Sequence, residues 1–197
     1  KLGTFLFLMK SDNKIIILST SFNFIRTNFF IGEESGVYLS GIKFNQIEGK
    51  IFNILNCANF SAKNLLITNG VYPESIPAFL KSDSSNLTFE NMIINSYSFY
   101  QESDFALINK GSLDWSNFYM KNLTLFSNFK YIFYLYQLSN SSLGNLSIEH
   151  LSQGLLNIEL TSIILSDFKI LSGFLNNSAF QIRDCFVVLK YSIFSWD

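Results

Sequence analysis

Charge, cysteine, proline and histidine are all scarce in this sequence. Its 197 residues include two Cys, two Pro and one His, and charged residues make up 15% of the chain. Soluble domains average about 25% charge. Two cysteines, Cys57 and Cys185, exclude a disulfide-rich scaffold. A lone histidine, His150, excludes a structural zinc site, which needs clustered Cys and His ligands. The net charge of −1 comes from scattered basic and acidic residues, so there is no basic footprint for nucleic acid or for a membrane surface. A membrane span needs about 18 near-continuous apolar residues. The longest apolar runs, Phe5–Met9 and Tyr131–Tyr136, are far shorter. No G-x-G-x-x-G, P-loop, H-E-x-x-H or EF-hand pattern occurs, so no cofactor or metal is expected.

What the chain does have is apolar bulk. Hydrophobic residues make up 48% and aromatics 17%, including 22 Phe. That is far above the disordered range, and the length suits one domain with a real core. The chain opens at Lys1-Leu2-Gly3 without an initiator Met or a signal-peptide layout, and apolar strand-like residues run almost to both ends. The expectation is a segment of a longer chain, with 1–197 forming one domain.

A repeat decides the fold class. Its unit is apolar–x–apolar, a polar or small doublet, then apolar–x–apolar. The copies centre on Ser40-Gly41, Lys63-Asn64, Glu90-Asn91, Ser116-Asn117, Gly144-Asn145, Ser166-Asp167 and Arg183-Asp184. The second doublet residue is Gly41, Asn64, Asn91, Asn117, Asn145, Asp167 or Asp184. Each is a type that tolerates a left-handed backbone, as a sharp bend between two strands requires. A third apolar run follows each pair: Ile51–Ile54, Ala78–Leu80, Phe105–Ile108, Tyr131–Leu135, Leu155–Ile158 and Phe174–Leu175. One period therefore reads strand, tight bend, strand, loop, strand, loop. The doublets are 23, 27, 26, 28, 22 and 17 residues apart, about what three short strands and their turns need.

Such a unit cannot bury its apolar face alone. Stacking the units buries it, and each strand then pairs in parallel with those above and below. The sequence predicts an all-β, right-handed parallel β-helix solenoid of about seven coils of three short strands. Residues 36–190 form the regular coils, and 1–35 form a degenerate first coil in which Ile15–Leu18, Phe22, Phe24 and Phe29–Ile31 carry the apolar pattern. On the doublet pattern, residues 36–190 resemble the pectin-lyase-like family of right-handed parallel β-helices. That family includes polysaccharide lyases and hydrolases, adhesins and large surface proteins, so the resemblance does not select a function.

The solenoid predicts which residues stack. Three residues before the bend the column reads Tyr38, Ser61, Thr88, Asp114, Ser142, Ile164, Gln181, which holds no carboxylate cluster. Two residues after it reads Lys43, Leu66, Ile93, Tyr119, Ser147, Lys169, Phe186, again without a carboxylate. Polysaccharide-active members of the family cluster carboxylates on adjacent coils. Here only Asp167 and Asp184, with Arg183 beside them, are expected on adjacent coils, and turn residues chosen for backbone conformation explain them better than a glycosidase pair. His150 follows Glu149 where a loop is expected and has no nucleophile or orienting partner in sequence. Asn64, Asn91, Asn117 and Asn145 are expected to form a coil-to-coil amide ladder. Lys63 and Glu90 are expected to pair one coil apart.

Six N-x-S/T sequons occur, at Asn59, Asn86, Asn122, Asn140, Asn145 and Asn176. About three or four arise by chance at this composition. Asn59, Asn86, Asn122, Asn140 and Asn176 are the candidate N-glycosylation acceptors, while Asn145 occupies a bend. Tyr119, Phe186 and Tyr97 are expected as exposed aromatics for partner docking. The sequence thus points to a non-catalytic structural or adhesive segment of a larger extracellular, cell-surface or filament-forming glycoprotein. Its partners would be the rest of its own chain and neighbouring structural proteins, through end coils or an aromatic face, together with glycans. The alternatives are a carbohydrate-binding or carbohydrate-active β-helix and an intracellular scaffold.

Overall fold

The computed structural model describes residues 5–10, 14–25, 28–34, 36–48, 50–72, 79–99, 104–125, 131–151, 154–173 and 180–195. Seventeen strands run through them. The first nine are β1 Phe5–Lys10, β2 Lys14–Leu18, β3 Ser21–Ile25, β4 Asn28–Glu33, β5 Gly36–Ser40, β6 Lys43–Ile47, β7 Phe52–Leu55, β8 Asn59–Tyr72 and β9 Leu80–Phe99. The rest are β10 Ala106–Leu125, β11 Tyr131–Leu138, β12 Ser141–Leu151, β13 Gly154–Glu159, β14 Ser162–Gly173, β15 Phe180–Arg183, β16 Phe186–Lys190 and β17 Ile193–Ser195. All seventeen join one sheet.

Among the described residues every strand pairing is parallel, and the pairings sort the strands into three stacked faces. The first face runs β2, β5, β8, β9, β10, β12, β14, β16. The second runs β3, β6, β8, β9, β10, β12, β14, β17. The third runs β1, β4, β7, β9, β10, β11, β13, β15. The chain is a parallel β-solenoid. Each face stacks eight strand segments, slightly more than the seven coils expected from the doublets.

Why these residues form this coil follows from period two. On the first face, Ile17, Leu39, Ala62, Phe89, Trp115, Leu143, Leu165 and Leu189 fall in register. Their neighbours on each strand point outward, as the pleat requires. From Leu39 to Leu165 this column is at most 1% exposed. Aromatic rings from Phe22 to Phe133 form a continuous train inside the coil, with centroid spacings from 4.3 Å (Phe89–Trp115) to 6.4 Å (Phe44–Phe52). Most of these pairs are edge-on or tilted, the arrangement the ring quadrupole favours.

Two tight corners recur through the described coils, where the sequence suggested one bend and two loops, and a third left-handed file, Gln46, Asn69 and Ser96 with φ between 54° and 64°, follows the second face in three of them. The first corner is held by Ser19, Gly41, Asn64, Asn91, Asn117, Asn145, Asp167 and Tyr191, with φ between 47° and 67°. The second is held by Glu34, Asn56, Ser84, Lys110, Gln137, Leu160 and Asp184, with φ between 49° and 59°. Asp184 is therefore a bend residue of the second corner and does not stack on Asp167. The pairing of Glu159 with Arg183 puts Asp184 above Leu160, while that of Ser166 with Lys190 puts Tyr191 above Asp167. Consequently β15 belongs to the third face and β16 to the first, which removes Gln181 and Phe186 from the outer columns expected of them. The Phe174–Leu175 run, expected to be that third-face strand, lies outside the described residues.

A side chain that no doublet announced completes the corners. The residue after a left-handed position turns its hydroxyl or thiol back to the carbonyl two residues earlier. Thr20 donates to Leu18 O (2.9 Å), Ser85 to Asp83 O (2.8 Å), Thr161 to Glu159 O (2.8 Å), Cys185 to Arg183 O (2.9 Å) and Ser192 to Lys190 O (3.1 Å). Ser85 Oγ also accepts the Cys57 N–H from the preceding coil at 3.0 Å, and Thr161 Oγ1 accepts that of Leu138 at 3.2 Å. These hydroxyls satisfy buried backbone groups where the strand ladder is interrupted.

Candidate functional site

Ordered polar side chains lie on several outer surfaces of the solenoid, the first corner and the third face among them.

At the first corner the four asparagines stand in one file. Asn91 Nδ2 donates to Asn64 Oδ1 at 3.0 Å, Asn117 Nδ2 to Asn91 Oδ1 at 2.8 Å, and Asn145 Nδ2 to Asn117 Oδ1 at 2.6 Å. The left-handed backbone at each position aims the amides along the axis, and Asn accepts that conformation cheaply. Next to the file Lys63 Nζ meets Glu90 Oε2 at 2.7 Å. The Glu90 hydrogen bond and charge hold the Lys63 ammonium above its ordinary pKa. This arrangement is a scaffold: amide and ion pairs that hold one coil to the next. Gly41 precedes the file and Asp167 follows it. Asp167 offers only acceptors where Asn145 Oδ1 needs a donor. Asp167→Asn should add one rung and raise the urea midpoint, corresponding to about 0.5–1 kcal/mol. An unchanged or lower midpoint would show that the ladder contributes nothing at this corner.

The third face presents a different set. Phe133 and Leu135 point inward and are fully buried, so Tyr134 and Tyr136 point outward and are part-buried. In register with Tyr136 lie Asn109 on one side and Glu159 on the other, and Asn157 lies beside Tyr134. Asn157 is 8% exposed, and its Oδ1 has no partner. Asn109 donates Nδ2 to Asp83 Oδ1 at 3.2 Å, which turns its own buried, unpartnered Oδ1 to the opposite side. The Tyr131 hydroxyl donates to Gln181 Oε1 at 2.9 Å, reaching from β11 to β15 past β13, the strand that carries Asn157. Arg183 Nη1 lies 3.8 Å from Glu159 Oε1, beyond hydrogen-bond reach. Burial first, then the carboxylates of Glu159 and Asp104, push the Tyr134 phenol above its ordinary pKa. On the second face Tyr119 donates to Glu149, which raises the Tyr119 phenol likewise. The sequence columns passed over the third face because they were counted from the first corner only.

The remaining candidates are dispersed. Asn59, Asn86 and Asn140 are exposed and share one column at the second corner. Asn86 is already engaged, donating to Ala58 O at 3.0 Å and accepting from Ser112 Oγ at 2.9 Å. Asn122 lies in β10 and Asn176 lies outside the described residues. His150 lies in strand β12 and not in a loop. Tyr97 is 1% exposed, which corrects its expected surface role. Gly70 sits in register with it, and only a residue without Cβ leaves room, since a Cβ there would stand 2.2 Å from the Tyr97 ring. Among the described residues no group of three or more His, Cys, Asp or Glu side chains is placed to hold a metal ion.

Fold and surfaces together define the class: a parallel β-solenoid with an amide-laddered corner and a tyrosine-bearing outer face. No protein-family model, no curated protein and no solved structure matches the chain.

Proposed function

We propose that this chain is a non-catalytic structural or adhesive β-solenoid segment of a larger extracellular or cell-surface glycoprotein, and that its end coils stack on further β-solenoid. One observation carries the reading. In the last coil the core-lining residues stand open: Ile182 is 50% and Leu189 54% exposed, whereas their register partners Ile158 and Leu165 are 0% and 1% exposed. Phe186 and Tyr191 beside them are 69% and 84% exposed. Among the described pairings, β15 and β16 each bond a strand on one side only. A parallel edge of this kind is a template for another strand of the same register. Solenoids need end coils with polar outer faces to remain soluble units, and this coil is apolar. The occupant that fits is therefore a further coil, from the rest of the chain or from a second copy. The column of exposed Asn59 and Asn140 supports placement outside the cell, with N-glycans at the second corner.

The test is assembly. Sedimentation velocity over a concentration series should show head-to-tail association of the chain. Leu189→Lys should abolish it, because it puts a charge where an apolar contact forms. A monomer at every concentration, with the last coil still protected from hydrogen exchange, would remove the stacking reading. Intact-mass analysis of secreted material lacking glycan at both Asn59 and Asn140 would remove the glycoprotein reading.

A further inference from the structure

The third face is built as if for a hydrogen-bond donor that the chain itself does not supply. On the outward side of its described strands the buried side-chain atoms without a partner are amide oxygens, Asn53 Oδ1 three coils from Tyr134, Asn109 Oδ1 and Asn157 Oδ1; Ser82 Oγ, also unpartnered, lies on the inward side. Buried polar atoms are nearly always satisfied, so three on one outer face call for a reason. The Asn109 orientation is fixed, because its Nδ2 is bound to Asp83. Asn157 lies in register between Tyr134 and Gln181, and Glu159 follows two residues on along the same strand. The Glu159 side chain is 17% exposed, and its ion-pair approach among the described residues is the long 3.8 Å one to Arg183. Tyr134 and Tyr136 stand about 6.7 Å apart along β11, with neighbouring coils about 4.8 Å away on either side.

We infer that this face binds an arginine side chain of a partner protein, seated against Tyr134 and Tyr136 and hydrogen-bonded by Asn157 and Glu159 on the adjoining strand. The argument is one of inventory. An amide oxygen and a carboxylate on β13 lie in register beside two tyrosines of β11. A planar guanidinium has only donors, is always charged, and stacks on tyrosine. It can donate to the amide oxygen and to the carboxylate at once. A neutral sugar also stacks on tyrosine, but it brings no charge to meet the Glu159 carboxylate. Arg183 shows the same attraction from within the chain. It lies toward Glu159 with its side chain 62% exposed, too far to bond and free to swing aside. The inference concerns an outer face and stands independently of how the end coils stack.

The experiment is calorimetric titration of the chain with triarginine amide at low salt, beside trilysine amide, a neutral tripeptide and a neutral oligosaccharide. Triarginine amide should bind best, and affinity should fall as salt rises. Glu159→Gln should weaken it about tenfold, the loss of one charge-assisted hydrogen bond. Asn157→Asp should tighten it, since a carboxylate replaces the amide oxygen. Both variants are checked for an unchanged far-ultraviolet spectrum. If Glu159→Gln misfolds, Asn157→Asp and the salt series still decide. The inference falls if no heat appears up to about 10 mM triarginine amide, if neither substitution moves the affinity, or if the neutral oligosaccharide binds in preference.

Discussion

Gly111→Ala should unfold the middle of the solenoid, lowering stability by about 3 kcal/mol or more. The second corner of the fifth coil turns through two successive left-handed residues, Lys110 at φ 59° and Gly111 at φ 105°. A φ of 105° is closed to any residue with a side chain. Space closes it a second time: a Cβ at Gly111 would stand 2.0 Å from the Ser85 carbonyl oxygen of the preceding coil. That oxygen is backbone, so it cannot rotate away. The carbonyl of Gly111 also accepts the Ser139 N–H of the following coil at 2.9 Å. Any shift that makes room below therefore breaks a bond above. Gly36 is the control, since a Cβ there meets nothing within 4 Å and its φ is not left-handed. Urea denaturation of both alanine variants measures the difference. Equal midpoints would mean that the corner does not need its glycine.

The first corner was legible because chemistry and geometry agree there. Five of its eight positions are Asn or Asp and one is Gly, so the backbone demand shows in the residue types. The second corner makes the same demand and hides it. Glu34, Asn56, Ser84, Lys110, Gln137, Leu160 and Asp184 share a left-handed φ and nothing else. Stacking neighbours impose the conformation, at a cost of about 1–2 kcal/mol for residues such as Leu160. The compensating signal lay one residue further on, in Ser85, Thr161 and Cys185, whose side chains close the turn. Asp184 mimics a first-corner residue, because it has bend-tolerant chemistry and an apolar strand follows it directly. Its spacing of 17 residues from Asp167 was the discrepancy, and the true partner, Tyr191, lies 24 residues on. Tyr191 has no turn chemistry, so composition could not have found it. The third-face site was illegible for the same reason. Its columns Asn109, Tyr136, Glu159 and Asn157 with Tyr134 appear only once the second corner sets the register.

Phe52→Ala should be the costliest change in the core, at about 3–5 kcal/mol. Phe52 is 0% exposed and lies where all three faces send a ring. Its centroid is 5.2 Å from Phe79, 5.3 Å from Phe60, 6.2 Å from Phe29, 6.3 Å from Phe89 and 6.4 Å from Phe44. Removing it opens a cavity bounded by rings that are themselves held by backbone pairing on neighbouring coils. Those rings cannot collapse inward without breaking ladder bonds, so the transfer loss and the cavity term both apply. Position along the axis also matters, because a solenoid coil contacts only its neighbours. Leu165 and Leu189 occupy the same column at 1% and 54% exposure. Leu165→Ala should cost about 2–4 kcal/mol and Leu189→Ala under about 1 kcal/mol. Repeat arrays can lose cooperativity, so hydrogen exchange is the right measure, reading each coil separately. Phe52→Ala should release protection in β7 and in its paired strands β4 and β9 first, while β14 and β16 keep theirs. Uniform loss along all eight layers would mean that the aromatic train acts as one unit and not as a chain of local contacts.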